Sequence, residues 1–273
     1  MTMQKFGVIN GVGMCLSKYI LFLMMLSTLI FPVKSQTSNV VTILADDDYP
    51  PYSYVENGVL KGIYIELLRR AITPLQREYF VEIVPMPWKR ALLSAKQGNV
   101  VGIIPPYRHS EKRPFISSYS IALGTEHVVT YCRQNIDLES ALALKLPSEK
   151  RLHLGMNAGY LLLNQRYKKA IQSGYIKLWE NKSTEANVIK LLTDKLDCYV
   201  NDRNATLYEL DNIKRSNPEL SHIIVEEKDE ISQQTAHIGF SQGVDKEFIF
   251  KMNDALLGVM HELDVKKSEP LKP

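Results

Sequence analysis

The sequence predicts an α/β fold of two lobes, each built on a mixed, mainly parallel sheet. Short apolar segments alternate with segments of helical periodicity from residue 40 onward, and the alternation starts again near residue 127. A further strand and helix follow from residue 237. Alternation of this kind favours parallel strands covered by helices, and its restart favours two such units with a crevice between them.

The first unit is predicted from apolar periodicity and from turn residues. Its expected strands cover residues 40–45, 80–84 and 100–104, and its expected helices cover residues 63–72 and 88–97. Pro50 and Pro51 predict an irregular loop after the first strand, because proline cannot donate to a ladder of hydrogen bonds.

The second unit is expected to begin with a strand at 127–132 and a polar, helix-capable segment at 134–149. Strands follow at 152–155, 176–179 and 197–200, with helices at 161–173 and 185–193. A strand at 237–240 and an amphipathic helix at 246–263 complete the pattern. Ligands bind where parallel strands end, which here means the loops at 46–54, 105–110, 157–160 and 201–204.

Residues 1–35 have the layout of a cleaved signal peptide, with cleavage near Ser35 and a periplasmic or secreted product. Lys5 and Lys18 precede an uncharged run at 19–33, which is shorter than the ~20 residues that span a bilayer. An uncleaved membrane anchor is the alternative. Cys15 lies before the apolar run instead of after it, so the pattern does not indicate a lipoprotein.

The charge of the expected mature chain is balanced. Lys5, Lys18 and Lys34 account for three of the 33 basic residues, which leaves 30 against 30 acidic residues. A neutral body gives no electrostatic footprint for nucleic acid and no basic patch for an anionic membrane.

Cys132 and Cys198 remain after residue 35. We expect them on different lobes and favour two separate buried thiols, with pairing as the open alternative in an oxidising compartment. No cysteine or histidine spacing predicts a metal site, and no motif for a nucleophile, a phosphate loop or a dinucleotide is present. The sequence therefore predicts no cofactor.

Four segments in order resemble the extracytoplasmic solute-binding proteins of the polar amino-acid class. They read ADDDYPPYSYVENGVLKGIYIELL, PWKRALLSAKQGNVVGIIPPYRHSEKRPFISSYS, LLTDKLDCYVNDRNA and HIGFSQGVDKEFIFKMNDAL. The resemblance implies a periplasmic binding protein-like fold of type II. One lobe would cover 36–131 with 236–273 and the other 132–235, joined by a two-strand hinge near Tyr131 and Ile238.

The resemblance also implies a function. A monomer would capture a small polar solute, an amino acid or a related small carboxylate, between its lobes for uptake, without chemistry and without a cofactor. Its partner would be a membrane permease of an ABC transporter, or a sensor. The alternatives are a sensory module that reads the same ligand and a small lyase. His109 with Glu111 could supply an acid or base for a lyase, although a surface histidine is the simpler interpretation.

Three basic residues, Arg108, Lys112 and Arg113, follow the third predicted strand. The resemblance implies that an arginine of this loop binds the ligand carboxylate, because its planar fork donates two charge-assisted hydrogen bonds at once. Arg113 is favoured among the three. Pro105 and Pro106 stand where the family has a hydroxyl residue, which puts a standard α-amino acid ligand in doubt.

Acidic residues in two loops are the expected partners of a ligand ammonium. The resemblance implies this role for Asp202, for which an N-cap of the following helix is the alternative. One residue of the acidic run, Asp47 or Asp48, is expected near the crevice because three adjacent carboxylates repel one another.

The remaining candidates are aromatic residues and a helix start. Tyr52 matches the family's usual aromatic contact, with core packing as the alternative, and a buried structural role is the alternative for Trp88. Gly159 and Tyr160 open a predicted helix whose N–H groups attract anions. Asn157 and Thr184 could add hydrogen bonds.

Overall fold

A computed structural model of the protein describes residue 2 and residues 39–147 and 150–268. The expected signal peptide and its cleavage point near Ser35 lie outside the described residues, apart from Thr2. Cys15, for which a lipid anchor is not expected, lies outside them too.

The first part of the chain contains seven strands and two helices, with a short 3₁₀ turn at Thr73–Leu75. In chain order these are β1 Asn39–Asp46, β2 Asp48–Tyr49, β3 Ser53–Glu56, β4 Val59–Lys61, α1 Ile63–Ile72, β5 Tyr79–Met86, α2 Trp88–Lys96, β6 Gly102–Ile104 and β7 Ile116–Tyr119.

The second part contains six strands and five helices among the described residues, with a 3₁₀ turn at Pro218–Leu220. These are β8 Gly124–Arg133, α3 Leu138–Leu142, β9 Leu152–Asn157, α4 Gln165–Gln172, β10 Ile176–Asn181, α5 Thr184–Leu192, β11 Cys198–Asp202, α6 Arg203–Ser216, β12 Val225–Ala236, β13 Gly239–Ser241 and α7 Lys246–Ser268.

Two five-stranded sheets organise these elements. The first has the order β5-β1-β6-β13-β7 and the second the order β10-β9-β11-β8-β12. In each sheet two neighbouring pairs are parallel and two are antiparallel. The α/β fold with mixed sheets is therefore confirmed. We call the first sheet, the small three-stranded sheet β2-β3-β4 and α1, α2 and α7 the first lobe, and the second sheet with α3 to α6 the second lobe.

The helices form where apolar residues line one face. In α1 the buried residues are Tyr64, Ile65, Leu67, Leu68, Ala71 and Ile72, a spacing that covers the first sheet. In the second lobe, α5 begins at Ser183, whose hydroxyl accepts a hydrogen bond from the backbone of Ala186. Asp202 caps α6 in the same way at Ala205.

The chain passes between the sheets at two adjacent places, residues 120–123 and residues 237–238. Ser120 donates its backbone N–H to the carbonyl of Ile238, and Leu123 donates to Ala236. We expected the first crossing near Tyr131, but β8 pairs with β12 from Gly124 onward and already belongs to the second sheet. The crossing therefore lies earlier in the chain than the resemblance implied.

The expectation of two separate thiols on different lobes is wrong. Cys132 on β8 and Cys198 on β11 form a disulfide within the second sheet. The two strands are antiparallel neighbours, and their register places these residues directly opposite each other. The bridge therefore closes a loop inside one lobe and leaves the crevice free to open.

Two other expectations differ from the structure. The polar segment at 134–149 is helical only over Leu138–Leu142 among its described residues. The sequence pattern also missed β12, whose residues are polar and charged and alternate at the edge of the second sheet. An edge strand of this composition carries no apolar signal.

Candidate functional site

A cavity lies between the two lobes, with about 320 Å³ of empty space that is partly open to solvent. Its first-lobe wall comprises Asp46, Tyr49, Trp88, Pro105, Tyr107, His109 and Arg113, and its second-lobe wall comprises Tyr160, Leu161 and Leu162. Mostly apolar walls with a few polar groups are typical of small-molecule sites.

Arg113 is the cation of this cavity wall. Its side chain is 5% exposed, and Nη2 donates a hydrogen bond of 2.9 Å to the carbonyl of Gly159 in the second lobe. The guanidinium lies 5.5 Å from the centre of the Trp88 ring, within cation–π distance. Burial lowers the pKa of Arg113 to about 10, so the side chain stays charged at neutral pH.

Arg108 and Lys112 lie elsewhere. Both are exposed, and the guanidinium of Arg108 lies over the ring of Tyr119 at 5.4 Å from its centre. Neither lines the cavity, so of the three basic candidates the structure brings only Arg113 to it.

Asp46 is the carboxylate of the cavity wall, whereas the sequence favoured its neighbours Asp47 and Asp48. It is 3% exposed at the end of β1. Its Oδ2 accepts a hydrogen bond of 3.0 Å from the Tyr160 hydroxyl of the second lobe, and its Oδ1 accepts one of 3.1 Å from the backbone of Asp48. Burial raises the pKa of Asp46 to about 7. Asp47 and Asp48 are half-buried and do not line the cavity.

Asp202 is buried below the crevice and does not line the cavity. Its Oδ1 accepts hydrogen bonds from the Ala205 backbone at 2.9 Å and from the Tyr52 hydroxyl at 3.0 Å, and its Oδ2 accepts one from the His127 backbone at 3.1 Å. The structure therefore places Asp202 both as the N-cap of α6 and as a bridge between the lobes through Tyr52. Desolvation raises its pKa.

A third buried carboxylate, Glu126, was not predicted from the sequence. It is fully buried near the start of β8. It accepts hydrogen bonds from the hydroxyls of Tyr64 at 2.8 Å, Tyr107 at 2.5 Å and Tyr49. Burial raises the pKa of Glu126 to about 7. The available signal was a glutamate two positions before Val128 and Val129 of a predicted strand, because an acid buried with that strand needs buried donors.

The tyrosine network joins the lobes at the base of the crevice. Tyr49, Tyr52, Tyr64 and Tyr107 come from the first lobe, whereas the acids that they contact, Glu126 and Asp202, stand on strands of the second sheet. Tyr52 stacks on Tyr64 with ring centres 4.8 Å apart. Tyr49 and Tyr107 also line the cavity, so this network supports its floor.

Trp88 and Tyr160 face each other across the cavity, with ring centres 6.3 Å apart in an edge-to-face arrangement. Gly159 precedes Tyr160 with a φ of 86°, which glycine adopts without strain. A Cβ at this position would lie 3.1 Å from Leu92 of α2, so the second-lobe loop also packs closely on the first lobe there.

His109 lines the cavity, against the simpler interpretation of a surface histidine.

Asn157 and Thr184 are buried inside the second lobe. The Asn157 amide donates to the Thr184 hydroxyl at 3.0 Å, and its carbonyl accepts from Tyr199 at 2.9 Å. These two polar side chains therefore stiffen the second lobe below the loop that carries Tyr160.

Within residues 39–147 and 150–268, no cluster of histidine, cysteine, aspartate or glutamate could hold a metal ion. In the same part of the chain, no helix combines the length and the apolar character needed to cross a membrane.

Solved structures share this architecture. The chain is similar to a histidine kinase sensor domain that resembles periplasmic binding proteins, with 16% identity, a TM-score of 0.66 and coverage of 84% of this chain and 94% of that one. It is similar to the substrate-binding protein of an amino acid ABC transporter, with 16% identity, a TM-score of 0.63 and coverage of 84% and 96%. An ancestral amino acid-binding protein, a precursor of cyclohexadienyl dehydratase, has 17% identity, a TM-score of 0.64 and coverage of 84% and 93%. These likenesses show the two-lobed fold.

No curated protein sequence matches the chain. The model of one protein family matches residues 41–238, a range that contains most of β1, both crossings between the sheets and every residue of the cavity wall. The chain therefore belongs to the bacterial extracellular solute-binding proteins, family 3.

Proposed function

We propose that this protein captures a small zwitterionic or carboxylate-bearing solute, such as an amino acid, between its lobes for uptake. The observation that carries this proposal is the presence of one buried cation, Arg113, and one buried carboxylate, Asp46, in the wall of the same cavity between the lobes. A zwitterion supplies each group with a partner of opposite charge, whereas an apolar solute supplies neither.

The cross-lobe contacts explain how a ligand would stabilise closure. Arg113 donates to the Gly159 carbonyl, and Asp46 accepts from the Tyr160 hydroxyl, so each charge of the first lobe contacts the loop after β9 in the second lobe. A ligand carboxylate on Arg113 and a ligand ammonium on Asp46 would touch the same loop. Such a ligand gains contacts with both lobes only when they are closed, and this differential affinity drives closure.

Uptake, sensing and a lyase reaction differ in the step that comes after closure of the lobes. For uptake, a membrane permease of an ABC transporter would recognise the closed lobes in the periplasm, after removal of the signal peptide near Ser35. The likeness to a sensor domain supports a sensory role as the second candidate function. The likeness to an amino acid-binding precursor of a dehydratase supports a lyase reaction as the third candidate function.

A thermal-shift screen of the amino acids and small carboxylates tests the proposal. At least one solute should raise the melting temperature in a concentration-dependent way, because a ligand that binds only the folded state stabilises it. Proton NMR of the solute, recorded before and after long incubation with the protein, should show it unchanged. A solute converted to product would contradict a binding role and support the lyase. No shift with any of these solutes would contradict the ligand class.

A further inference from the structure

His109 lines the cavity and carries a buried polar atom without a protein partner. That atom is Nε2, which makes no hydrogen bond with the described residues. Buried polar atoms are nearly always paired, so an unpaired one in a cavity wall indicates a position that a bound molecule completes.

The ring is held in one orientation by the second lobe. The imidazole hydrogen-bonds with the backbone of Leu161, which stands beside it in the cavity wall. Since Nε2 has no partner, Nδ1 makes this bond. The contact raises the pKa of His109, as expected when the ring donates to a carbonyl, whereas burial and the neighbouring cations lower that pKa and favour the neutral imidazole. The tautomer with hydrogen on Nδ1 leaves Nε2 without a hydrogen.

Positive charges surround this end of the cavity. Burial lowers the pKa of His109, and the cations Arg113, Lys112 and Lys168 lower it further. Of these, Arg113 shares the cavity wall with His109, whereas Lys112 is exposed on the same loop. The remaining titratable side chains of the wall are Asp46, Tyr49, Tyr107 and Tyr160. The Tyr119 hydroxyl accepts a hydrogen bond from the backbone N–H of His109 at 3.2 Å.

We propose that Nε2 of His109 is a second contact, beside Arg113, for the anionic group of the ligand, and that it takes up a proton from solvent when that group binds. An anion beside Arg113 would face the lone pair of a neutral Nε2, which is unfavourable. Protonation converts Nε2 into a donor and places a second positive charge on the anion. This inference rests on the proposed function, since it requires an anionic solute in the cavity.

Proton uptake by His109 makes the affinity for the anion depend on pH, in the same direction as the titration of Asp46 in the same wall. Ligand binding and proton binding stabilise each other, so affinity for the anion rises as pH falls through the range in which His109 titrates. A histidine that merely packed in the wall would not couple its titration to the anion.

The test uses acetate, the smallest carboxylate probe, and side-chain ¹H–¹⁵N NMR of the histidines across a pH series. Sodium chloride at the same ionic strength is the control for screening. His127, His153, His222, His237 and His261 serve as internal controls. Acetate should raise the apparent pKa of His109 by roughly half a unit or more and leave the other five unchanged, because an opposite charge favours the protonated ring. Arg113→Ala should abolish this effect.

Two variants separate hydrogen bonding from charge: His109→Gln keeps a hydrogen-bonding side chain that cannot be protonated, and His109→Leu removes both properties. Acetate binding, followed through backbone amide shifts, should depend less on pH in both variants than in wild type, with the remaining dependence due to Asp46 in the same wall. It should also be weaker in His109→Leu. If acetate binds to wild type and Arg113→Ala removes that binding, but the pKa of His109 does not move, the inference about His109 is wrong and the proposed site stands. If acetate leaves every resonance of the cavity wall unchanged in wild type, both the inference and the carboxylate-binding site are contradicted.

Discussion

The guanidinium of Arg113 donates a hydrogen bond of 2.9 Å to the backbone carbonyl of Gly159, and this bond ties the loop after β6 to the loop after β9. A ligand anion competes with that carbonyl for the same planar donors. Because guanidinium offers five N–H groups, Arg113 can keep Gly159 and still hold a carboxylate. Arg113 can therefore hydrogen-bond with the second lobe and with the ligand at the same time.

Arg113→Ala should weaken solute binding by roughly thirtyfold or more. Removing one partner of a buried charge pair typically costs ~2–5 kcal/mol. Calorimetric titration with a solute identified by thermal shift measures the change. Arg108→Ala and Lys112→Ala are matched controls, because both side chains are basic, exposed and close in sequence. Equal losses in all three variants would indicate long-range electrostatics instead of a direct contact.

Tyr52→Phe should favour open lobes with little effect on the fold. The substitution removes the hydroxyl that reaches Asp202 across the crevice, and one such hydrogen bond contributes ~0.5–1.5 kcal/mol. The radius of gyration from small-angle scattering without ligand should increase, while the midpoint of urea unfolding stays close to that of wild type.

Asp202→Ala should behave differently from Tyr52→Phe. The carboxylate is fully buried and also accepts from the backbones of Ala205 and His127, so its loss removes the cap of α6 and leaves donors unpaired. Urea unfolding should show a destabilisation of about 1–3 kcal/mol. A variant as stable as wild type would contradict the structural role of this residue.

Removal of the disulfide should destabilise the second lobe. The bridge joins residues 66 positions apart, and a loop of that length gives a stabilisation of at most ~4 kcal/mol through the unfolded chain. The double variant Cys132→Ser with Cys198→Ser, unfolded in urea, measures the loss. Solute affinity should persist under conditions where the variant is folded, because neither cysteine lines the cavity. Unchanged stability would show that the two thiols are not bridged in the protein.

The stability of the protein should fall as pH rises from about 4.5 to about 7. The pKa of Glu126 is raised from 4.5 to about 7 in the folded protein, chiefly by desolvation. The native state therefore binds more protons than the unfolded state in this interval, and stability decreases with pH there. At 1.36 kcal/mol per pH unit, Glu126 accounts for up to ~3 kcal/mol of that loss.

Glu126→Gln isolates this contribution, since glutamine keeps an acceptor for the tyrosines and cannot ionise. Urea unfolding across the same pH range should show a flatter profile for the variant than for wild type. Asp46, whose pKa is also raised to about 7, remains in the variant and preserves part of the slope. Identical slopes in the two proteins would show that Glu126 titrates normally.

The fold was largely predictable because apolar periodicity is a local property. α1 begins and ends where its spacing indicated, and β1 and β5 extend the predicted strands by a residue or two. The boundary between lobes was not predictable in the same way. β8 belongs to the second sheet over its whole length, and its apolar pattern does not tell which sheet it joins.

The loops that form the site were predictable from the sequence, but several of the residues that line it were not. The expected loops contact one another through Asp46 with Tyr160 and through Tyr52 with Asp202. Of Asp46, Asp47 and Asp48, only Asp46 lines the cavity, and the sequence pattern does not tell which of three adjacent acids faces inward. The burial of Glu126 could not be predicted, because its three tyrosine partners come from distant segments that no spacing in the sequence brings together.

Trp88 allows the most direct test of solute capture in this cavity. The protein has two tryptophans, so Trp179→Phe leaves Trp88 in the cavity wall as the only tryptophan reporter. Its fluorescence should change in a saturable way with at least one amino acid or small carboxylate, and the change should disappear when Arg113→Ala is added. A signal that no such solute alters, or one that survives Arg113→Ala at full affinity, would contradict the proposed capture between the lobes.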